Sequence, residues 1–101
     1  RLVSIIEELS FATVRQRLVS ALVRLAQSQG TRTAAGIEFQ LPGTHQDLAH
    51  QLGTVRELVS RNLMRLQAEG LLQVDARSIL VRDMPGLTAI LENNPQEAGR
   101  D

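Results

Sequence analysis

The chain has 101 residues, of which 43% are hydrophobic and 22% are charged. This is the length of a single domain with one modest core. The chain contains no cysteine, which excludes disulfide frameworks, thiolate zinc sites and cysteine nucleophiles. No apolar run approaches the ~18 residues that indicate a membrane span, and no signal peptide is visible. We therefore expect a cytoplasmic protein with no membrane partner.

The charges balance to zero, with 11 basic and 11 acidic residues. Proteins that bind nucleic acids usually carry a basic excess, so this balance argues mildly against such a partner. Every basic residue is an arginine, however. Arginine makes two-pronged contacts to guanine and to phosphate, which lysine does not make.

Residues 1–30 have the periodicity of a helix. The apolar residues that recur on one face are Val14, Leu18, Ala21, Leu22 and Leu25. Ser10 can cap this helix, which would separate it from residues 1–10. We interpret residues 1–10 as the end of a longer helix, and a frayed helix terminus is the alternative.

The second half of the chain contains strand signals. Residues 30–36 are small and polar, which predicts a loop, and residues 37–41 then alternate apolar and polar side chains as a short strand does. Residues 71–74 and 79–82 flank a turn and predict a β-hairpin, preceded by a helix that ends at Gly70. A last short helix is predicted from Pro85 to Leu91, followed by a polar tail, residues 93–101, that we expect to be disordered.

Two helix-start signals lie ten residues apart, in Thr44-x-x-Asp47 and Thr54-x-x-Glu57. In each, the hydroxyl can accept from a backbone N–H three residues on, and the acid can accept from the N–H of the threonine. Gly53 lies between the two predicted helices. Two short helices joined by such a turn are typical of a helix-turn-helix, whose second helix enters a DNA groove. Two ordinary packed helices are the alternative.

The second of these helices, residues 55–67, has two distinct arcs at about 100° per residue. The arc that must pack on a core consists of Val55, Leu58, Val59, Leu63 and Leu66. The outward arc consists of Arg56, Glu57, Ser60, Arg61 and Met64. Arginine can bind O6 and N7 of guanine, glutamate can accept from N4 of cytosine, and serine adapts to several partners. A charged face that is merely solvated is the alternative.

These elements together predict a mainly α domain with a small β part, a winged helix-turn-helix. Its parts are a three-helix core, a short strand plus a β-hairpin wing, and a short C-terminal helix. The sequence resembles the C-terminal DNA-binding domain of the catabolite activator and fumarate–nitrate regulator (Crp/Fnr) family of bacterial transcription regulators. The matching segments are Leu41-Pro-x-Thr-His-Gln-Asp-Leu-Ala49, Leu52-Gly-Thr-Val-Arg-Glu-x-Val-Ser-Arg61 and Leu63-x-Arg-Leu-x-x-Glu-Gly-Leu71.

The resemblance implies a role for particular residues. Those expected to contact DNA bases are Arg56, Glu57 and Arg61. Ser60 occupies a position at which some subfamilies also contact a base. Those expected to contact DNA phosphates are Arg15, Thr44, His45, Thr54 and Arg77. Phosphate contacts position a protein on the duplex, and base contacts supply sequence specificity.

The resemblance also implies an assembly. The family binds double-stranded DNA as a homodimer on inverted repeats with half-sites about one helical turn apart. Residues 1–10 would then be the end of a dimerisation or linker helix, and residues 11–92 the DNA-binding domain. We expect no cofactor in this chain, because the effector of the family binds a sensor domain that this chain does not contain. Residues 29–36 lie where activators of the family touch RNA polymerase, which is a further candidate partner.

The sequence departs from the family pattern at four residues, two of which lie in the predicted wing turn. Asn62 falls on the apolar arc, where its amide needs a partner. The predicted wing turn carries Asp75 and Ala76, where a glycine would permit positive φ, and an acid there is unfavourable near phosphate. His45 replaces a more permanently charged residue that is often found at this position.

Nothing in the sequence indicates an enzyme. The adjacent Glu7 and Glu8 diverge on a helix and cannot form a catalytic pair. His45 and His50 do not share the helix face that a metal site needs. We predict a sequence-specific DNA-binding domain of a transcription regulator. The alternative is a winged-helix protein-interaction module without DNA binding; outward arginines on a face free of large apolar residues favour DNA.

Overall fold

The computed structural model describes the backbone of residues 2–92 and the side chains of residues 13–92. Its helices are α1 (Leu2–Gln29), α2 (His45–Leu52), α3 (Arg56–Ala68) and α4 (Met84–Glu92). Its strands are β1 (Thr31–Thr33), β2 (Gly36–Gln40), β3 (Leu72–Asp75) and β4 (Ser78–Val81). This confirms the mainly α winged-helix fold, while the predicted tail, residues 93–101, lies outside the described residues. None of the helices described is both long and apolar enough to cross a membrane.

The first helix, α1, runs without a break from Leu2 to Gln29, so the predicted cap at Ser10 is wrong. A serine inside a helix is only modestly unfavourable, and the helical periodicity on both sides of Ser10 outweighs its capping preference. The described residues that α1 buries are Val14, Leu18, Val19, Leu22, Val23 and Ala26. Of the predicted face, Ala21 and Leu25 lie at its half-buried margins.

The strands form one antiparallel sheet in the order β1-β2-β4-β3. Ile79 of β4 pairs with Phe39 of β2 on one side and with Val74 of β3 on the other. Phe39 and Ile79 are buried against the helices. The predicted strand and the predicted hairpin are therefore both confirmed, and β2 joins the hairpin to the body of the domain.

The strand β1 lies within residues 30–36, which were wrongly predicted to be a loop. All three of its residues are exposed, so no apolar alternation indicates a strand. Thr33 closes the turn to β2, because its Oγ1 accepts from the N–H of Ala35 at 3.1 Å and of Gly36 at 3.2 Å. Gly36 has a φ of 147°, and a Cβ there would collide with the carbonyl of Val81.

The core lies where α1 packs against α3, α4 and the sheet. Leu18 and Leu22 of α1 and Leu63 and Leu66 of α3 are all 0% exposed. Burying a leucine side chain stabilises a fold by about 1.5–3 kcal/mol. These residues hold α3 against α1 by one face, which leaves the other face of α3 toward solvent.

Candidate nucleic-acid interface

The helix α2 begins with a complete capping box. Thr44 Oγ1 accepts from the N–H of Asp47 at 3.1 Å, and Asp47 Oδ2 accepts from the N–H of Thr44 at 2.9 Å. This confirms the first of the two helix-start signals. The hydrogen bond from the Thr44 backbone, then that from its side chain, lowers the pKa of Asp47, and the charges of His50 and Arg77 act in the same direction. The ionised carboxylate lies near the positive N-terminal end of the α2 dipole, where a negative charge stabilises the helix.

The turn between α2 and α3 is set by Gly53. This residue has φ 72° and ψ 35°, a left-handed conformation that favours glycine. The next N–H, that of Thr54, donates to the carbonyl of Ala49 at 2.9 Å. From α1, Arg17 Nη1 donates to the carbonyl of Leu52 at 3.0 Å, where a cation also stabilises the helix C-terminus.

The helix α3 begins at Arg56 with Val55 as its N-cap, and no side chain caps it. The predicted capping box of Thr54 and Glu57 is therefore wrong. The N–H of Thr54 is used in the turn by Ala49, so the helix starts one residue later than the box requires. Glu57 then occupies the second helical position instead of the third, from which a capping box cannot form.

The N-terminal half of α3 presents polar side chains to solvent. Arg56, Glu57 and Arg61 are exposed, and Ser60 is half-buried. Arg61 Nη2 lies 3.6 Å from Glu57 Oε2, with side chains 60% and 80% exposed. Such an exposed pair one helical turn apart contributes only about 0.3–0.5 kcal/mol, so both groups can exchange it for another partner. All four residues predicted to contact bases thus lie together on this half of the helix.

The opposite face of α3 is packed as predicted except at its start, where Leu58 is only half-buried and Val55 is exposed. Val59, Leu63 and Leu66 are 0% exposed, whereas Val55 is 58% exposed. Val55 was wrongly placed on the buried arc, because an N-cap residue has extended backbone and does not follow the helical projection. With Met64 also 50% exposed, the outward surface is not free of large apolar residues, which corrects the sequence-based expectation.

Asn62 lies on the packed face and is 0% exposed. Its Nδ2 donates to the carbonyl of Leu58 at 2.9 Å. Its Oδ1 has no hydrogen-bond partner among the described residues. The predicted inward position is confirmed, and half of the amide is satisfied by the backbone of α3 itself.

The wing turn lies against the start of α2. Ala76 and Arg77 form the two-residue turn between β3 and β4, and Ala76 has the positive φ, 56°, that a glycine would adopt more easily. His45 Nε2 lies 3.0 Å from the carbonyl of Ala76. When Nε2 carries the proton, this imidazole donates to the wing.

Arg77 anchors the same turn from the other side. Its Nε and Nη2 donate to the carbonyl of Leu41 at 3.3 and 3.2 Å, and the N–H of Leu41 donates back to the carbonyl of Arg77 at 2.8 Å. The structure therefore brings three of the predicted phosphate-contacting residues, Thr44, His45 and Arg77, to one cluster where the wing meets α2.

The other two predicted phosphate-contacting residues lie elsewhere. Arg15 Nη2 is 2.8 Å from Glu69 Oε1, and the Arg15 side chain is only 20% exposed. This ion pair ties α1 to the C-terminal end of α3. Thr54 is half-buried in the turn before α3.

The contacts that anchor the wing were not predicted from the sequence. Besides those of His45 and Arg77, Gln67 Oε1 accepts from the N–H of Val74 at 2.7 Å and ties the end of α3 to β3. The contacts of His45 and Arg77 join residues 31 and 36 positions apart. They follow no helical or strand period, so no local pattern could indicate them.

The sequence of this chain is similar to those of bacterial transcription regulators. It is 32% identical over 76 residues to the transcriptional regulatory protein btr of Bordetella pertussis, covering 75% of this chain and 31% of that protein. It is 30% identical over 82 residues to the transcriptional activator protein FnrA of Stutzerimonas stutzeri, covering 81% of this chain and 34% of that protein. The chain spans about a third of the length of these relatives.

The fold is also found in a solved structure of a transcription factor. The CO-dependent transcription factor CooA from Carboxydothermus hydrogenoformans superposes with a TM-score of 0.77 at 32% identity, covering 88% of this chain and 41% of that one. Residues 16–90 match the family model of the Crp-like helix-turn-helix domain. The predicted resemblance is thereby confirmed: this chain belongs to the Crp-like helix-turn-helix domain family.

Proposed function

We propose that this domain binds double-stranded DNA in a sequence-specific way, as the DNA-binding part of a bacterial transcription regulator. The observation that carries the proposal is the joint exposure of Arg56, Glu57 and Arg61 on a helix whose opposite face is buried. A helix seated in this way holds its outward side chains in a defined orientation. With side chains, a helix is about 10–12 Å across, which fits the major groove of about 12 Å.

The chemistry of the exposed side chains supports contacts to both guanine and cytosine. Arg56 and Arg61 each carry the planar donor pair that matches guanine O6 and N7, and Glu57 can accept from cytosine N4. In the unbound domain Arg61 Nη2 lies 3.6 Å from Glu57 Oε2. On binding DNA, the two side chains would separate and each would contact a base. Ser60 would add an adaptable contact from the same helix.

The cluster at the start of α2 supports phosphate contacts. The Thr44 hydroxyl accepts within the capping box, and its own proton, which also faces the Asp47 carboxylate, would turn to a phosphate as donor. Arg77 retains N–H donors beyond the two that Leu41 uses. His45 would contact the phosphate from the adjacent first position of α2. Arg15 and Thr54 are weaker candidates, because Arg15 would have to leave Glu69 and Thr54 is half-buried.

The proposed assembly is a cytoplasmic homodimer on an inverted repeat, with half-sites about one helical turn apart. An effector would act through a sensor domain outside this chain. RNA polymerase is the further proposed partner, at residues 29–36, and the exposure of all three residues of β1 supports a contact there. The exposure of Val55 and Met64 removes the absence of large apolar residues as an argument against a protein-interaction module, and membership of the Crp-like helix-turn-helix family now supports DNA binding in its place.

Selection of bound duplexes from a random pool tests DNA binding and returns the half-site, spacing and symmetry together. Fluorescence anisotropy on the selected duplex and on a scrambled one then tests base contact. Arg56→Ala and Arg61→Ala should each lower affinity for the selected duplex by about 5- to 150-fold, with far smaller losses on the scrambled duplex. Arg24→Ala is the matched control, since Arg24 is an exposed arginine on α1 whose Nη2 donates to Ser20 Oγ of the same helix at 3.4 Å.

A pool without enrichment would refute sequence-specific binding. If Arg56→Ala lowers the affinity for both duplexes equally, that side chain does not contact a base. Arg77→Ala should weaken binding to both duplexes about equally. It should also reduce the slope of log affinity against log salt concentration by about one. An unchanged salt dependence would remove Arg77 from the proposed phosphate contacts.

A further inference from the structure

Two large apolar side chains stand exposed within residues 13–92, and both belong to the region proposed to enter DNA. Val55 is 58% exposed at the N-cap of α3, and Met64 is 50% exposed within α3. The remaining large apolar side chains of this part of the chain are buried or half-buried. One exception thus lies at the start of α3 and the other within it.

Valine is a poor choice for the position that Val55 occupies. Its backbone is extended, with φ −112° and ψ 154°, and it offers no oxygen to the free N–H groups of the first turn. Serine, threonine, asparagine and aspartate are strongly preferred at an N-cap, and valine is among the least favourable residues there. At 58% exposure the side chain also gains little from burial. A residue that breaks a local rule without helping the fold indicates a functional position.

The major groove of DNA has one prominent apolar feature, the 5-methyl group of thymine. Val55 directly precedes Arg56, and the two residues are exposed together with Glu57. The N-terminal residues of such a helix are the ones that approach base edges. The branched side chain of valine is also stiff, so it loses little freedom on contact.

We infer that Val55 contacts the 5-methyl group of a thymine beside the base pair contacted by Arg56, and so determines specificity at that position. This inference rests on the proposed DNA binding and extends it to a base that the polar side chains do not recognise. Met64 lies eight residues beyond Arg56, which is about 12 Å along the helix axis at about 1.5 Å per residue. It is therefore too far along α3 to share that thymine.

Replacing single thymines of the selected duplex by deoxyuridine tests the inference, because only the methyl group is removed. For the wild-type chain, one such replacement next to a contacted guanine should weaken binding about fourfold, the effect expected for one buried methyl-sized group. Val55→Ala should bind the thymine and deoxyuridine duplexes equally. Met64→Ala, an exposed apolar truncation on the same helix, is the matched control and should keep the thymine preference.

The variant Val55→Ser distinguishes the thymine contact of Val55 from any effect of this residue on stability. The serine hydroxyl can cap α3, so this variant should unfold about 4 °C or more above wild type and yet show no thymine preference. Retention of the preference in Val55→Ser or Val55→Ala would overturn the inference. So would a selected half-site without thymine, or equal wild-type binding to thymine and deoxyuridine. Failure to bind any duplex would instead refute the proposed function.

Discussion

The two helices of the helix-turn-helix begin in opposite ways. The first turn of α2 is closed by the side chains of Thr44 and Asp47, whereas α3 starts at Val55 without any side-chain cap. Four backbone N–H groups at each helix start need partners from outside the helix. A supporting helix such as α2 provides some of them from its own sequence. The helix that faces a partner leaves its first turn open, and its exposed side chains remain available.

The open start of α3 does not make the helix loose. Leu63 and Leu66 of α3 are as deeply buried as Leu48 and Ala49 of α2. Gln67 also ties the end of α3 to β3 through Val74. The contrast between the helices therefore concerns their N-termini alone, and variants at the starts and at the packed face can separate the two contributions.

Loss of the packed face should have the largest effect. Leu63→Ala removes a side chain that is 0% exposed and should lower the free energy of unfolding by about 2–5 kcal/mol. Its neighbour Met64 is 50% exposed, so Met64→Ala should change stability by no more than about 0.5 kcal/mol. Urea denaturation followed by circular dichroism measures both. Similar losses for the two variants would contradict the seating of α3 described above.

Removal of the hydroxyl at each helix start should have an intermediate and unequal effect. Thr44→Ala deletes the cap of α2 and should lower the free energy of unfolding by about 1 kcal/mol. Thr54→Ala is the matched control, since α3 has no side-chain cap for it to lose, and its effect should be clearly smaller. If the two variants lose the same stability in urea denaturation, α3 is capped by Thr54 in solution after all.

Loss of the Asp47 carboxylate in the α2 capping box should have the smallest effect on the free energy of unfolding, and this effect should depend on pH. The folded state lowers the pKa of Asp47 below its usual 3.8, chiefly through the hydrogen bond from the Thr44 backbone. The ionised form therefore stabilises the fold fully above that usual value, and this contribution is lost as the pH falls through the folded-state pKa. The stability difference between wild type and Asp47→Asn should accordingly shrink in acid.

Urea denaturation of both proteins across the acid range measures that difference. Because the Asp47 side chain is exposed, we expect a smaller change than for Thr44→Ala. A difference that stays constant from neutral pH to well below 3.8 would show that the charge of Asp47 does not contribute.

Local patterns predicted much of the interface. The capping box of Thr44 and Asp47 is confirmed because all its partners lie within three residues of one another. The same pattern at Thr54 and Glu57 failed, since the preceding turn uses the N–H of Thr54 on Ala49. A capping motif describes what a segment can form, and the neighbouring turn decides whether it forms.

The amino-acid sequence by itself determined which segments are helices and strands, apart from β1, and which face of α3 is polar, because periodicity and capping act between close neighbours. Tertiary structure alone decided where α3 begins, that Val55 is exposed, and that β1 pairs with β2. It also decided that His45 and Arg77 anchor the wing to the start of α2. These outcomes depend on partners brought together only by packing of the core, and no spacing along the chain specifies them.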